Sequence, residues 1–137
     1  MRFTDPEIDL AEALRDGGLP WEPAEGDWFC YEGEEIPRLI RSGVHETELK
    51  GRDAAFGKAR IWLPQWQQAR AWLAARGYRL RAAAEEVGGG QVSLAFARGD
   101  GSAAGELSGS GATDLEAIYR AILAALAAQE AATGRPA

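Results

Sequence analysis

The stretch from Leu63 to Gln129 constrains the fold more than any other part of this chain, because each of its segments carries its own punctuation. Pro64 marks a helix start, where the missing N–H of proline is not needed. Trp62, Trp66, Ala69, Leu73 and Arg76 then recur at three- and four-residue spacing, with Trp72 beside them, and Gly77 closes the segment. Tyr78, Leu80, Ala82 and Ala84 alternate with Arg79, Arg81, Ala83 and Glu85, the pattern of a half-buried strand. Gly88-Gly89-Gly90 makes a turn, and Val92, Leu94 and Phe96 alternate in a second strand. Arg98-Gly99-Asp100-Gly101 contains an Asp-Gly turn signal. Ala103 to Gly109 reads as a weaker third strand, with Ala104, Glu106 and Ser108 on one side and Leu107 its only large apolar residue. Thr113-Asp114-Leu115-Glu116 is a capping box, and Leu115, Ile118, Ile122, Ala125 and Leu126 form the stripe of the helix it opens. Arg120 follows Glu116 by four residues, the favoured order for a helical ion pair.

The predicted fold class is therefore α+β: an antiparallel three- to four-stranded sheet packed by two main helices, α-β-β-β-α over residues 64–130, in a single domain over 1–137. Both helices are expected on one sheet face, since each offers one apolar stripe. Residues 5–35 are expected to add an N-terminal helix and a short strand. Asp5 serves as N-cap before Pro6, Ile8, Leu10, Ala11 and Leu14 supply the stripe, and Gly17-Gly18 stops the helix. Leu19 to Pro23 is extended, because a residue before proline is pushed out of the helical region. Asp27 to Glu32 is a strand with Trp28 and Cys30 on one face and Phe29 and Tyr31 on the other. Residues 36–60 lack periodicity and read as an irregular segment, with at most a short helix at Pro37–Arg41 and an extended lead-in at Ala59–Leu63. Residues 133–137 are expected to fray.

With 137 residues, area scaling buries roughly two thirds of the unfolded surface, enough for a core without metal or disulfide. Cys30 is the only cysteine, so no internal disulfide forms. No apolar run approaches the ~20 residues that span a bilayer, and the acidic start MRFTDPEIDL does not read as a signal peptide. A cytoplasmic protein with no membrane partner is the expectation.

Charge is uneven. Asp5 to Glu35 holds eleven acids and one base, Arg15, whereas Ile36 to Arg81 holds ten bases and three acids. The two regions either neutralise each other or leave a basic surface for an anionic partner.

The order Ala69-x-x-Trp72-Leu73-x-x-x-Gly77-Tyr78, then hairpin strands, then Ala112-Thr113-x-x-Glu116-Ala117-Ile118-x-Arg120-Ala121-x-Leu123 resembles the phage ABA-sandwich domain. That family comprises small phage and prophage proteins of unknown function, and it implies no catalytic residue. The longer Gly33–Ala59 segment departs from its pattern. The helix-strand-strand-strand-helix order is also similar to the double-stranded RNA-binding domain. There the final helix opens on lysines that grip phosphates. Here Asp114 and Glu116 stand at that place and would repel a phosphate backbone.

Chemistry-bearing residues are sparse. His45 is the only histidine, and with Cys30 it could act only if the fold joined them. One His and one Cys make no structural zinc site. Glu32, Glu34 and Glu35 with Asp27 read as a solvated acidic turn, and the glycines of 88–90 and 105–111 match no phosphate-loop motif. Gly109-Ser110-Gly111 reads as a strand-to-helix turn. Of the five tryptophans, Trp21, set between prolines, is expected to be more exposed than Trp72. The reading is a non-catalytic protein without cofactor or metal, acting through a protein partner or a homo-oligomer. Trp21, Trp28, Arg38, Arg41, Arg52 and Arg60 are the candidate partner-binding residues. The alternative is a nucleic-acid-binding module using the basic 38–81 region, which the net charge of -6 disfavours.

Overall fold

The computed structural model describes residues 2–43, 46–86, 89–99 and 105–133. His45, Gly88, the Asp100-Gly101 pair, Ala103, Ala104 and residues 134–137 lie outside them. The described residues form four helices and two antiparallel three-stranded sheets, an α+β fold. The chain divides into two compact units, Met1–Pro64 and Gln65–Ala137.

In the first unit, helix α1 (Asp5–Asp16) starts from a capping box one residue earlier than expected. The Thr4 hydroxyl accepts from the Glu7 N–H at 3.2 Å, and Glu7 Oε1 accepts from the Thr4 N–H at 2.7 Å. Thr4, not Asp5, is thus the N-cap, which places Asp5 and Pro6 in the first turn. Gly17 caps the other end, and Gly18, at φ +93°, reverses the chain in a conformation glycine adopts freely.

The sheet of this unit runs β2-β1-β3, with β1 (Trp28–Tyr31) central, β2 (Arg38–Leu39) and β3 (Arg60–Leu63). Phe29 pairs with Trp62 and Arg38, and Tyr31 pairs with Arg60, so these side chains share one face. Trp28, Cys30, Ile61 and Leu63 point to the other, where α1 contributes the buried Ile8, Ala11 and Leu14. The sequence leaves both faces of β1 apolar because both are covered.

Residues 36–60 correct the sequence reading. Among the described residues they hold β2, the start of β3 and helix α2 (Glu46–Phe56), not an irregular run. The expected short helix at Pro37–Arg41 is instead strand β2 and its flank. Helix α2 is not legible in the sequence because its inward stripe is Leu49, Asp53 and Phe56, with a carboxylate where the pattern wants an apolar side chain, and because Gly51 sits mid-helix.

In the second unit, helix α3 (Trp66–Ala75) follows Gln65 as N-cap, so Pro64 precedes the cap and does not occupy the first turn. The Gln65 N–H donates to Gln68 Oε1 at 2.9 Å. Ala69 and Leu73 are buried as expected, but Trp62 belongs to β3 and not to this helical stripe. The sheet β4-β5-β6 is a meander of β4 (Tyr78–Glu85), β5 (Val92–Arg98) and β6 (Glu106–Gly111). Helix α4 (Asp114–Thr133) packs on β6 and β5, and α3 packs on α4 and β4. Thr113 Oγ1 accepts from the Glu116 N–H at 3.1 Å. Ile118, Tyr119 and Ile122 are fully buried, each apolar side chain contributing about 1.5–3 kcal/mol.

Two details were not legible. The register shifts between Leu80 and Ala82, so Arg81 and Ala82 together oppose Ala95. Downstream of this bulge the faces exchange: Ala83 and Glu85 pair with the inward Leu94 and Val92, and Ala82 and Ala84 turn outward, opposite to simple alternation. Gly109, the last residue of the expected strand, and Gly111 are both strand residues under α4, so β6 continues through the expected turn. A methyl group on Gly109 would collide with the carbonyl oxygen of Ala117 and stand 2.7 Å from the Ala121 nitrogen. One on Gly111 would strike the Glu116 Cβ. The helix therefore lies against β6 at a distance that only glycine allows, with Ala117 and Ala121 as its contact surface. Arg120 adds a side-chain donor to the Ser110 carbonyl.

Candidate functional site

The side chains of greatest chemical interest gather on the Phe29–Tyr31 face of the first sheet, between β2, β3 and α2. The strand register fixes Arg38 and Arg60 on either side of β1, and α2 brings Asp53 and Phe56 over them. Arg60 Nε donates to Asp53 Oδ2 at 3.0 Å, and Arg38 Nη2 to Glu34 Oε2 at 3.2 Å. The Arg38 guanidinium lies 4.8 Å from the Phe56 ring centre and 5.5 Å from that of Tyr31. Arg60 lies 5.6 Å from the Trp21 ring, and Tyr31 and Phe56 stack at 4.6 Å. Phe29, Tyr31, Ile40 and Leu49 form the buried floor. Each cation over a ring contributes about 0.5–2 kcal/mol, depending on how far it is desolvated.

Of the residues expected to bind a partner, the fold brings Trp21, Arg38 and Arg60 together here. Trp28 sits on the opposite face of β1 with its ring 6.2 Å from that of Phe3. Arg41 and Arg52 are exposed. Trp21 and Trp72 are both half-buried, so the expected contrast between them is absent. Trp21 lies parallel to Trp62 at 6.1 Å and donates from Nε1 to Asp27 Oδ2 at 2.9 Å, while Asp27 also accepts from the Ala24 N–H. Trp72 is covered by its own helix neighbour Arg76, whose guanidinium lies 3.6 Å from its ring. Apart from the Leu49, Asp53, Phe56 spacing, nothing in the local sequence pattern marks Tyr31, Asp53, Phe56 and Ile36 as contact residues.

The acid–base properties of the face follow from its burial. Desolvation pushes the Tyr31 phenol above its ordinary value, and the neighbouring Asp53 carboxylate pushes the same way, against Arg60 and Arg38. Tyr31 is thus protonated at neutral pH, and its hydroxyl stands near Asp53 without hydrogen-bond geometry. On the other face, burial, with Glu12 and Glu34 adding to it, pushes the Cys30 thiol up to about 11, Arg15 opposing. A fully buried, protonated thiol is a poor nucleophile.

Three large apolar side chains stand out among the described residues for their exposure: Ile36 at 60%, and Leu39 and Phe56 at 40% each. All belong to the β2–α2 region, and Phe56 stacks against the site itself. No group of three or more His, Cys, Asp or Glu side chains able to hold a metal occurs among the described residues. No helix among them is long and apolar enough to cross a membrane.

Neither protein-family models, nor curated proteins, nor solved structures give a match to this chain.

Proposed function

We propose that this chain is a non-catalytic contact protein of phage or prophage type, which binds a protein partner through the β2–α2 side of its N-terminal sheet. The observation that carries the reading is the exposure of Ile36, Leu39 and Phe56 beside a platform of Trp21, Arg38 and Arg60. Aromatic and arginine side chains dominate the energetics of protein interfaces, because aromatic rings bury large areas at low cost in rotamer freedom and the guanidinium presents a planar fork of donors. The sequence resemblance to phage ABA-sandwich proteins, which implies no catalytic residue, supports the same reading.

The nucleic-acid alternative draws less support. Arg38, Arg60 and Arg76 are engaged with carboxylates or rings of this chain, which leaves fewer cations free for phosphates. Absence of retention on heparin at low salt is the expected result.

The test is photo-crosslinking in the cells that make the protein, with a photoreactive residue at position 36 or 56 and a control at the exposed Asp9 on α1. Discrete protein adducts from 36 and 56, absent from the control, are expected. Equal adduct patterns from all three, or turnover of any substrate that is lost with Tyr31→Phe, would overturn the reading.

A further inference from the structure

Among the described residues of the second unit, the β4-β5-β6 sheet carries its helices, α3 and α4, on one face. On its other face Ala82, Ala84, Ser93, Glu106 and Ser108 are exposed, and Ala95 and Ala97 are half-buried. The register orders this face in rows across the strands. Arg79, Ala97 and Glu106 form one row, Ala82, Ala95 and Ser108 the next, and Ala84, Ser93 and Ser110 the third. The bulge adds Arg81 to the β4 side, where it lines a shallow groove of about 600 Å³ with Ala82, Ala95 and Glu106. The middle of the face is therefore flat and small, one edge is cationic, and the other is anionic.

We infer that a second copy of the chain docks on this face, sheet against sheet, about a two-fold axis parallel to β5. The charges select the axis. A two-fold along β5 carries β4 of one copy over β6 of the other, so each Arg79 meets the partner copy's Glu106, twice over, because a two-fold interface repeats every contact. A two-fold across the strands would lay β4 on β4 and β6 on β6, which gathers Arg79 and Arg81 of both copies on one edge and both Glu106 carboxylates on the other, so that like charges face each other. Alanine and serine at Ala95, Ala97, Ser93 and Ser108 let the two layers approach, as aligned sheets do at about −30°. Strand spacing makes the face about 14 Å by 20 Å, small for a stable interface, so the dimer is weak and salt-sensitive. The inference uses only the second unit and is independent of the contact reading of the first: Phe56→Ser abolishes neither this dimer nor its salt dependence.

Sedimentation velocity on the full chain, from about 1 to 500 µM, tests it. A concentration-dependent monomer–dimer equilibrium that weakens with added salt is expected. Glu106→Arg and Arg79→Glu should each raise the dissociation constant by more than about tenfold. An equimolar mixture of the two variants should regain wild-type association, since each then offers the charge that the other lacks. Both substitutions are at exposed positions, and circular dichroism checks that the variants are folded. A monomer throughout, a dimer indifferent to salt or to both reversals, or a mixture no tighter than either variant alone would overturn the inference.

Discussion

The two sheets are covered by different means. In the second unit α4 lies on β6 through Ala117 and Ala121, against Gly109 and Gly111, with backbone almost on backbone. In the first unit α2 stands over its sheet on one buried leucine, Leu49, an ion pair from Asp53 to Arg60, and a stacked but partly exposed Phe56. Small side chains bring many atoms into dispersion contact at no cost in side-chain entropy. Long charged and aromatic side chains bridge a wider gap, each of which must be held in place by its neighbours. The first arrangement favours a tightly fixed helix. The second leaves apolar and cationic groups at the rim, where another molecule can use them.

The sharpest way to break this contrast is Gly109→Ala. A methyl group there strikes α4 backbone, and a loss of about 3 kcal/mol or more is expected in urea unfolding. A loss below 1 kcal/mol, on the order of an ordinary surface change, would mean that the helix does not lie so close. Next, Ile118→Ala should cost about 3 kcal/mol, whereas Phe56→Ala, at a 40% exposed position where only the stack on Tyr31 and the Arg38 contact are lost, should cost about 1–2 kcal/mol. Equal effects would erase the distinction.

Cys30 reports on the α1 side of the first sheet. Its folded pKa of about 11 exceeds the ordinary 9.0, so the folded state holds the proton longer than the unfolded chain. That contribution to stability is fully present below pH 9.0 and is lost as pH rises toward 11. Thiol labelling at pH 8 should be slow in the native protein and fast in urea. Rapid native labelling would show that α1 does not seal that face.

Smaller effects sharpen the comparison. Thr113→Ala removes the acceptor for the Glu116 N–H and should cost about 1 kcal/mol. Gly51→Ala lies mid-helix in α2 with open space around the new methyl group, and should stabilise by about 0.5–1 kcal/mol. A glycine-to-alanine change thus has opposite signs in the two units.

The same physical difference explains what could be read from the sequence. The β4–β5–β6 meander and α4 were legible because their apolar residues keep the period of the element and their ends carry Gly77 and Thr113. The bulge at Arg81 was not, since a one-residue register shift leaves no trace in composition, and it reversed the faces assigned to Ala82 and Ala84. Gly109-Ser110-Gly111 reads as the end of the strand and a turn because glycine at a close approach and glycine at a reversal look alike in sequence. Helix α2 was missed because its stripe passes through Asp53, and an ion pair formed with β3 is invisible to a local pattern. Arg38, Arg60 and Trp21 were singled out from charge and tryptophan content. Their gathering on one face depends on strand pairing across a long separation, which no local signal records.

Amide hydrogen exchange on the folded chain tests the contrast most directly. The amides of Ile118 to Ile122 in α4 are expected to exchange at least about a hundredfold more slowly than those of Lys50 to Asp53 in α2. Equal protection in the two helices, or stronger protection in α2, would contradict it.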